Sequence, residues 1–262
     1  MNVMTSLSLQ GKTALLTGGA GLYGRQIVTA LAEAGAETYI ASRNLPELEK
    51  VAAEERLRGF DVTALPLDLG SEESITTLLD LIVERSGKCD ILVNNAVTRS
   101  ACNAWDNPME AFDRSLHINA SALFRITLRF GELMRRRQRG SIVNIGSMLG
   151  MVGIEMANYA GTDMNATPSP IYFYEKGGMI NFTRWAASIL GPDNIRVNCV
   201  SPGGLFTEDH PATFVRNYSA RTQLGRMANE TDLKGIIVFL GSDASAYVTG
   251  TNIPVDGGYT AK

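Results

Sequence analysis

In the stretch PIYFYEKGGM, Pro170 to Met179, a tyrosine and a lysine stand four residues apart, Tyr172 and Lys176, inside a segment that otherwise reads as an ordinary helix. Residues three or four apart share one helical face, so this phenol and this ammonium can be neighbours. Tyr174, two places before the lysine, projects elsewhere and reads as a packing residue. An isolated phenol titrates near about 10 and exchanges protons poorly at neutral pH, but a cation beside it favours the phenolate. The chemistry on offer is general acid/base catalysis by a tyrosine. Tyr159 is the competing phenol, but its partner four residues on is Asp163, an anion that opposes ionisation.

A second stretch supplies a reaction for such a group to serve. TGGAGLYGRQIVTALAEAG sets Gly18, Gly21 and Gly24 between a first short apolar run and an apolar-periodic helix beginning near Leu22. Gly18 permits a tight turn, Gly21 keeps the backbone bare beside a pyrophosphate, and Gly24 allows close helix–sheet contact. The helix N-terminus offers free N–H groups and a positive dipole. The pattern predicts a dinucleotide site. At the end of the second strand an acidic residue would bond the ribose hydroxyls and repel a 2′-phosphate. The run IASRN instead presents Ser42 and Arg43, a hydroxyl and a guanidinium suited to phosphate. We therefore expect NADP(H) in preference to NAD(H).

The elements that must carry these residues are visible as an alternation. TALLTG, ETYIAS, VTALPL, DILVNN, SIVNIG, IRVNCV and NIPVDGG are short apolar runs separated by helix-period segments. Continuous rather than alternating apolar strands point to a parallel sheet covered on both faces. Right-handed crossovers then give an α/β, doubly wound Rossmann-type fold, a three-layer αβα sandwich with ligands at the C-terminal ends of the strands. Two segments, Gly150–Pro170 and Leu205–Leu224, break the spacing and have the length of lids or binding loops.

Composition excludes other classes. With 262 residues, a net charge of −3 and 45% hydrophobic content, the chain can bury one large core, and we read residues 1–262 as a single domain. The dense basic run, RRRQR at Arg135 to Arg139, follows an apolar helical stretch and reads as a solvated helix C-terminus, so no nucleic-acid partner is expected. Cys89, Cys102 and Cys199 are odd in number and lack ligand spacing, and His117 and His210 are far apart, so neither disulfides nor a metal site is expected. Met1 to Gln10 has no basic leader and no long apolar stretch, and no later segment reaches membrane-span length; a cytoplasmic protein is expected.

Taken in order, TGGAGLYG, LDLG, NNA, HIN, NIGS, Tyr172-x-x-x-Lys176, RVNCVSPGG with Thr207, and VTGTNIPVDGG resemble the short-chain dehydrogenase/reductase family in its compact single-domain branch. The resemblance implies that Asp68 bonds the adenine amine with Leu69 adding backbone contacts, and that Asn95 and Ala96 line the ribose. Asn119 would hold a water in a proton relay, Ser147 bond the substrate oxygen, Tyr172 act as acid/base, and Lys176 orient the nicotinamide ribose and support the phenolate. Pro202, Gly203, Leu205 and Thr207 would hold the nicotinamide end. It also implies a small-molecule alcohol or ketone substrate and a homo-oligomer, a tetramer or dimer, with the large fifth and sixth helices between subunits.

Three departures qualify the carry-over. Leu22 replaces the middle loop glycine and Gly21 lies one place early, an arrangement that resembles the extended branch with its sugar-nucleotide epimerases. Val97 stands where the family has glycine. Ser147 and Tyr172 are 25 positions apart, about a dozen more than is common in the family, because of the Gly150–Pro170 connection. Its polar residues Glu155, Asn158, Tyr159 and Asp163 are expected to flank the carbonyl site and to suit a sugar, sugar acid or polyol. The expected activity is hydride transfer between nicotinamide and a secondary alcohol or ketone. The alternatives are an epimerase or dehydratase using the cofactor transiently, and a non-catalytic nicotinamide sensor.

Overall fold

The computed structural model describes residues 2–98, 108–164 and 169–261. Strands β1 (Thr13–Thr17), β2 (Glu37–Ser42), β3 (Val62–Pro66), β4 (Ile91–Asn94), β5 (Gly140–Ile145), β6 (Ile195–Pro202) and β7 (Asn252–Val255) form one seven-stranded sheet in the order β3-β2-β1-β4-β5-β6-β7. Every pairing is parallel. β1, β4 and β5 are buried at each position, which is why their segments read as largely apolar runs without alternation. The chain order reverses between β1 and β4, and there the C-terminal strand ends open a crevice.

The helices are α1 (Val3–Leu7), α2 (Leu22–Glu33), α3 (Leu45–Leu57), α4 (Glu72–Ser86), α5 (Met109–Leu116), α6 (Ala122–Arg135), α7 (Pro170–Leu190), α8 (Ala212–Ser219) and α9 (Lys234–Gly241). Successive strand residues point to opposite faces. Leu16 thus joins Ile27, Leu31, Leu48 and Ile237 from α2, α3 and α9, whereas Leu15 joins Leu78, Phe130 and Leu190 from α4, α6 and α7. Helix ends follow local chemistry: the Ser71 side chain caps α4 by accepting from Ser74 N–H, and Gly87, at φ +69°, ends that helix in the left-handed region.

The two irregular segments differ from a plain loop reading. Leu205–Leu224 contains α8, whose buried Phe214 and Tyr218 are four residues apart and form one apolar face between polar flanks. Gly150–Pro170 begins at a 3-10 turn (Met148–Gly150) and holds another at Met156–Asn158; residues 165–168 of this connection lie outside the described residues.

The basic run after α6 is occupied by ion pairs: Arg135 with Asp193 at 2.6 Å, Arg137 with Asp90 at 3.0 Å and Arg139 with Asp243 at 2.9 Å. Cys89 and Cys199 are buried and unbridged, and burial pushes the Cys89 thiol up to about 12. Cys102 lies outside the described residues. Among the described residues no group of His, Cys, Asp and Glu is placed to hold a metal ion, and no helix is long and apolar enough to cross a membrane.

Candidate active site

A cleft of about 840 Å³ lies over the C-terminal strand ends. Gly18, Gly21, Leu22 and Gly24 form one rim. Gly18 has φ +76°, and a Cβ there would stand 2.9 Å from the Cα of Ala96. A Cβ on Gly24 would lie 2.2 Å from the Gly18 carbonyl oxygen. These two glycines are dictated by backbone crowding; Gly21, whose Cβ would meet that oxygen at an ordinary 3.5 Å, is not. No side chain caps α2, so its first N–H groups face the cleft free for an anion. Leu22 sits at the helix start, 56% exposed, where the glycine loop of the resemblance would have no side chain. The next residue, Tyr23, donates from its hydroxyl to the Gly203 carbonyl at 2.8 Å and so ties the loop to the end of β6.

The remaining walls come from the other strand ends. Ser42 ends β2 and Arg43 follows it into the cleft, and Arg43 makes no ion pair among the described residues. Asp68 and Leu69 follow β3; Asp68 Oδ1 accepts from Gly70 N–H at 2.9 Å, which fixes its carboxyl at the rim. Asn95 and Ala96 leave β4, their N–H groups donating to Thr17 Oγ1 at 3.1 and 3.0 Å, while Asn95 Nδ2 donates to the Gly18 carbonyl at 2.9 Å. Pro202, Gly203 and Leu205 line the β6 end. Thr207 is set back from the cleft, with its N–H and hydroxyl both 3.1 Å from Nδ1 of His210, which does line it.

Ser147, Tyr172 and Lys176 converge on this same cleft. Ser147 is the cap of the 3-10 turn after β5, and its Oγ accepts from Leu149 N–H at 3.1 Å, which leaves the hydroxyl proton available to an external acceptor. Lys176 is buried, donates to the Ile145 carbonyl at 2.6 Å, and holds its Nζ 5.6 Å from the centroid of the Tyr172 ring. Gly150 brings the two halves together: a Cβ there would stand 2.6 Å from the carbonyl carbon of Lys176 and 2.9 Å from the nitrogen of Gly177. Gly150→Ala is expected to push the Ser147 turn off α7, cost about 1–3 kcal/mol of stability and lower kcat; thermal denaturation and steady-state kinetics on one preparation check both.

Asn119 lies behind the cleft wall, in a π-helical turn (His117–Ser121) between α5 and α6. Such turns widen the helix and recur at functional sites. Its Oδ1 accepts from Thr98 N–H at 2.9 Å, and its Nδ2 donates to the Thr98 carbonyl at 2.9 Å and to Glu175 Oε2 at 2.9 Å. Glu175 also accepts from Ser115 Oγ at 2.7 Å, and burial raises its pKa against the opposing pull of Ser115, Asn119 and Lys176. The sequence reading missed Ser115 and Glu175. The available signal was an acidic residue directly before the lysine, in a segment whose neighbours are aromatic.

The polar residues expected to flank the carbonyl site are not among the cleft-lining residues. Glu155 pairs with Arg221 at 3.0 Å, Asn158 donates to the Tyr259 hydroxyl at 2.8 Å, the Tyr159 ring packs 5.4 Å from that of Phe214, and Asp163 is exposed. The 25-residue spacing did not show where each side chain turns. The wall beside Ser147 is instead apolar, built from Met148, Leu149, Leu205, Phe214, Tyr218 and Met227.

A doubly wound parallel sheet with a glycine-rich turn before its first covering helix, and a Ser–Tyr–Lys set in the same cleft, defines a dinucleotide-dependent oxidoreductase. Comparison with known proteins agrees. Residues 23–260 match the family model described as enoyl-(acyl carrier protein) reductase. The cyclopentanol dehydrogenase of Comamonas testosteroni is 35% identical over 95% of this chain and 97% of its own length. A short-chain dehydrogenase/reductase structure from Mycobacterium marinum superposes with a TM-score of 0.88 at 31% identity, covering all of both chains. A gluconate 5-dehydrogenase from Burkholderia cenocepacia, solved with NADP and tartrate, does so with a TM-score of 0.87 at 28% identity, again over all of both chains. The chain belongs to the short-chain dehydrogenase/reductase family, nicotinamide-dependent oxidoreductases acting on CH–OH and C=O groups.

Proposed function

We propose that this protein is an NADP(H)-preferring dehydrogenase/reductase that interconverts a secondary alcohol and a ketone, with Ser147, Tyr172 and Lys176 as its reacting centre. The observation that carries this reading is the convergence of those three side chains on the cleft that also holds the uncapped start of α2 and Arg43. The residues fit a dinucleotide: free helix N–H groups for the pyrophosphate, Arg43 for a 2′-phosphate, Asp68 and Leu69 for the adenine, Asn95 and Ala96 for a ribose, and Pro202, Gly203 and Leu205 toward the nicotinamide, with Thr207 behind them on His210. When bound, the nicotinamide supplies or receives the hydride. Ser147 donates its free hydroxyl proton in a hydrogen bond to the substrate oxygen. In reduction Tyr172 gives that oxygen a proton, and Lys176 supports the phenolate left behind. No relay step is assigned to the Asn119 amide, which Thr98, Ser115 and Glu175 occupy behind the cleft wall.

The cofactor preference is tested at Arg43. Loss of a charge-assisted bond to phosphate is worth about 1.5–3 kcal/mol, or roughly 10- to 150-fold. Arg43→Ala should cut the NADP/NAD ratio of kcat/KM by that factor, and an unchanged ratio removes Arg43 from the assignment.

The apolar wall supports a substrate with a compact apolar body around the carbinol carbon, as in the name of the Comamonas relative. A polyhydroxy acid is the second reading, favoured by the tartrate of the Burkholderia complex. A panel of cyclic and acyclic ketones, polyols and sugar acids, followed at the nicotinamide absorbance with both cofactors, discriminates them. The protein acts in the cytoplasm as a homo-oligomer. Support for the oligomer comes from Phe124 and Leu128 on α6 and Trp185 and Ile189 on α7, each exposed by 44–49%, with the Phe124 and Trp185 rings 6.0 Å apart. Such a patch fits a second copy of the chain.

A further inference from the structure

We infer that Glu175 is a positioning residue: by accepting hydrogen bonds from Ser115 and Asn119, its carboxylate sets the side-chain amide of Asn119 against Thr98 and so fixes where the end of β4 meets the Tyr172–Lys176 centre. The inference rests on the proposed reading of that centre. Its basis is the geometry of a buried cluster that the mechanism leaves unused. Ser115, Asn119 and Glu175 are 2%, 9% and 6% exposed. Both oxygens of Glu175 are engaged, Oε1 by Ser115 Oγ at 2.7 Å and Oε2 by Asn119 Nδ2 at 2.9 Å, and Ser115 Oγ lies 3.2 Å from the same Nδ2.

The chemical reason for a carboxylate at this place is its one-sided hydrogen bonding. An ionised carboxyl only accepts, so it excludes the flipped amide of Asn119, which would turn oxygen toward oxygen. With Nδ2 held toward Glu175, Oδ1 is left to accept from Thr98 N–H, and the amide spans both polar groups of the Thr98 backbone. Thr98 follows Asn95 and Ala96 with Val97 between, and all four line the cleft, so the clamp reaches the strand end that faces the dinucleotide. A protonated carboxyl can both donate and accept, so it no longer enforces one orientation of the Asn119 amide and loosens this constraint. Among the described residues, the groups bonded to Glu175 from the neighbouring elements are the neutral Ser115 of α5 and Asn119 of the π-turn. The charged group acting on it is Lys176, next along α7. Burial shifts the protonation of Glu175 to higher pH than an exposed carboxyl, so acidification loosens the constraint earlier than it would for a solvated glutamate.

The test uses the full-length protein labelled with ¹³C at glutamate carboxyls and ¹⁵N at asparagine, with Glu175 assigned by the signal missing in Glu175→Gln. The Glu175 carboxyl should titrate above the ordinary carboxylate range, and the Asn119 side-chain amide should move with the same midpoint. Wild-type kcat/KM should show an acid limb at that midpoint, and Glu175→Gln should lose the limb while the KM for cofactor stays close to wild type. Glu175→Ala, which leaves both donors without a partner, should lower kcat between roughly 10- and 100-fold through misplacement of the centre. If Glu175→Ala does not fold, Glu175→Gln and the wild-type titration decide alone. An Asn119 amide indifferent to the Glu175 titration, or an acid limb unchanged in Glu175→Gln, overturns the inference. The titration needs no turnover, so it is read separately from any failure of Tyr172 and Lys176 as the reacting centre.

Discussion

Tyr172→Phe is expected to lower kcat by roughly 100- to 10,000-fold, the range in which a positioned acid/base contributes, while leaving the dissociation constant for NADPH nearly unchanged. The substitution removes one oxygen and keeps the ring. The ring is what Lys176 Nζ faces at 5.6 Å, and the lysine's own anchor, the Ile145 carbonyl at 2.6 Å, does not involve the phenol. Fold and cofactor site should therefore survive. Stopped-flow or steady-state assays at saturating substrate, paired with fluorescence titration of NADPH, separate the two quantities. Activity within a few fold of wild type would transfer the proton chemistry to another group and sink the proposed centre.

Gly24→Ala carries the second large effect, and on binding rather than chemistry. Its added methyl would stand 2.2 Å from the Gly18 carbonyl oxygen and 2.9 Å from the backbone of Gly19, so the turn must open. Overpacking of this kind costs about 1–3 kcal/mol of stability. Displacing even one N–H from a phosphate adds about 1.5–3 kcal/mol to the binding free energy, a loss of roughly 10- to 150-fold in affinity. Gly21→Ala is the control, because its methyl would meet the same oxygen at 3.5 Å and strain nothing in the free protein. Calorimetric titration with NADPH alongside thermal melts should show Gly24→Ala impaired in both and Gly21→Ala near wild type in stability. Equal melting temperatures for all three proteins would show that the loop absorbs the methyl and that crowding is not what selects glycine at 24.

Most of the frame was legible because it depends on local rules. Strands buried on both faces are mostly apolar without alternation, and the centres of β1, β4 and β5 are, so their runs announced a parallel sheet. Helix spacing placed Tyr172 and Lys176 on one face without further information. The expectation for Glu155, Asn158 and Tyr159 failed for the opposite reason: their partners, Arg221, Tyr259 and Phe214, lie 55 or more positions away in the chain, and no local pattern records such pairings. Helix α8 was hidden because only two of its residues, Phe214 and Tyr218, are buried.

By its own order of residues, the chain determined the α/β architecture, the glycine turn ahead of the first covering helix, and the identity of the tyrosine that has a cation within reach. These follow from periodicity, steric freedom at single positions and charge at fixed helical spacing. Tertiary structure alone decided that Gly150 must be bare to let the Ser147 turn touch α7, that Tyr23 ties the loop to Gly203, and that Glu175 meets Ser115 and Asn119 from helices far apart in sequence. Each of these is a contact between backbones or buried polar groups brought together by sheet order, and a linear sequence carries no signal for distance in space.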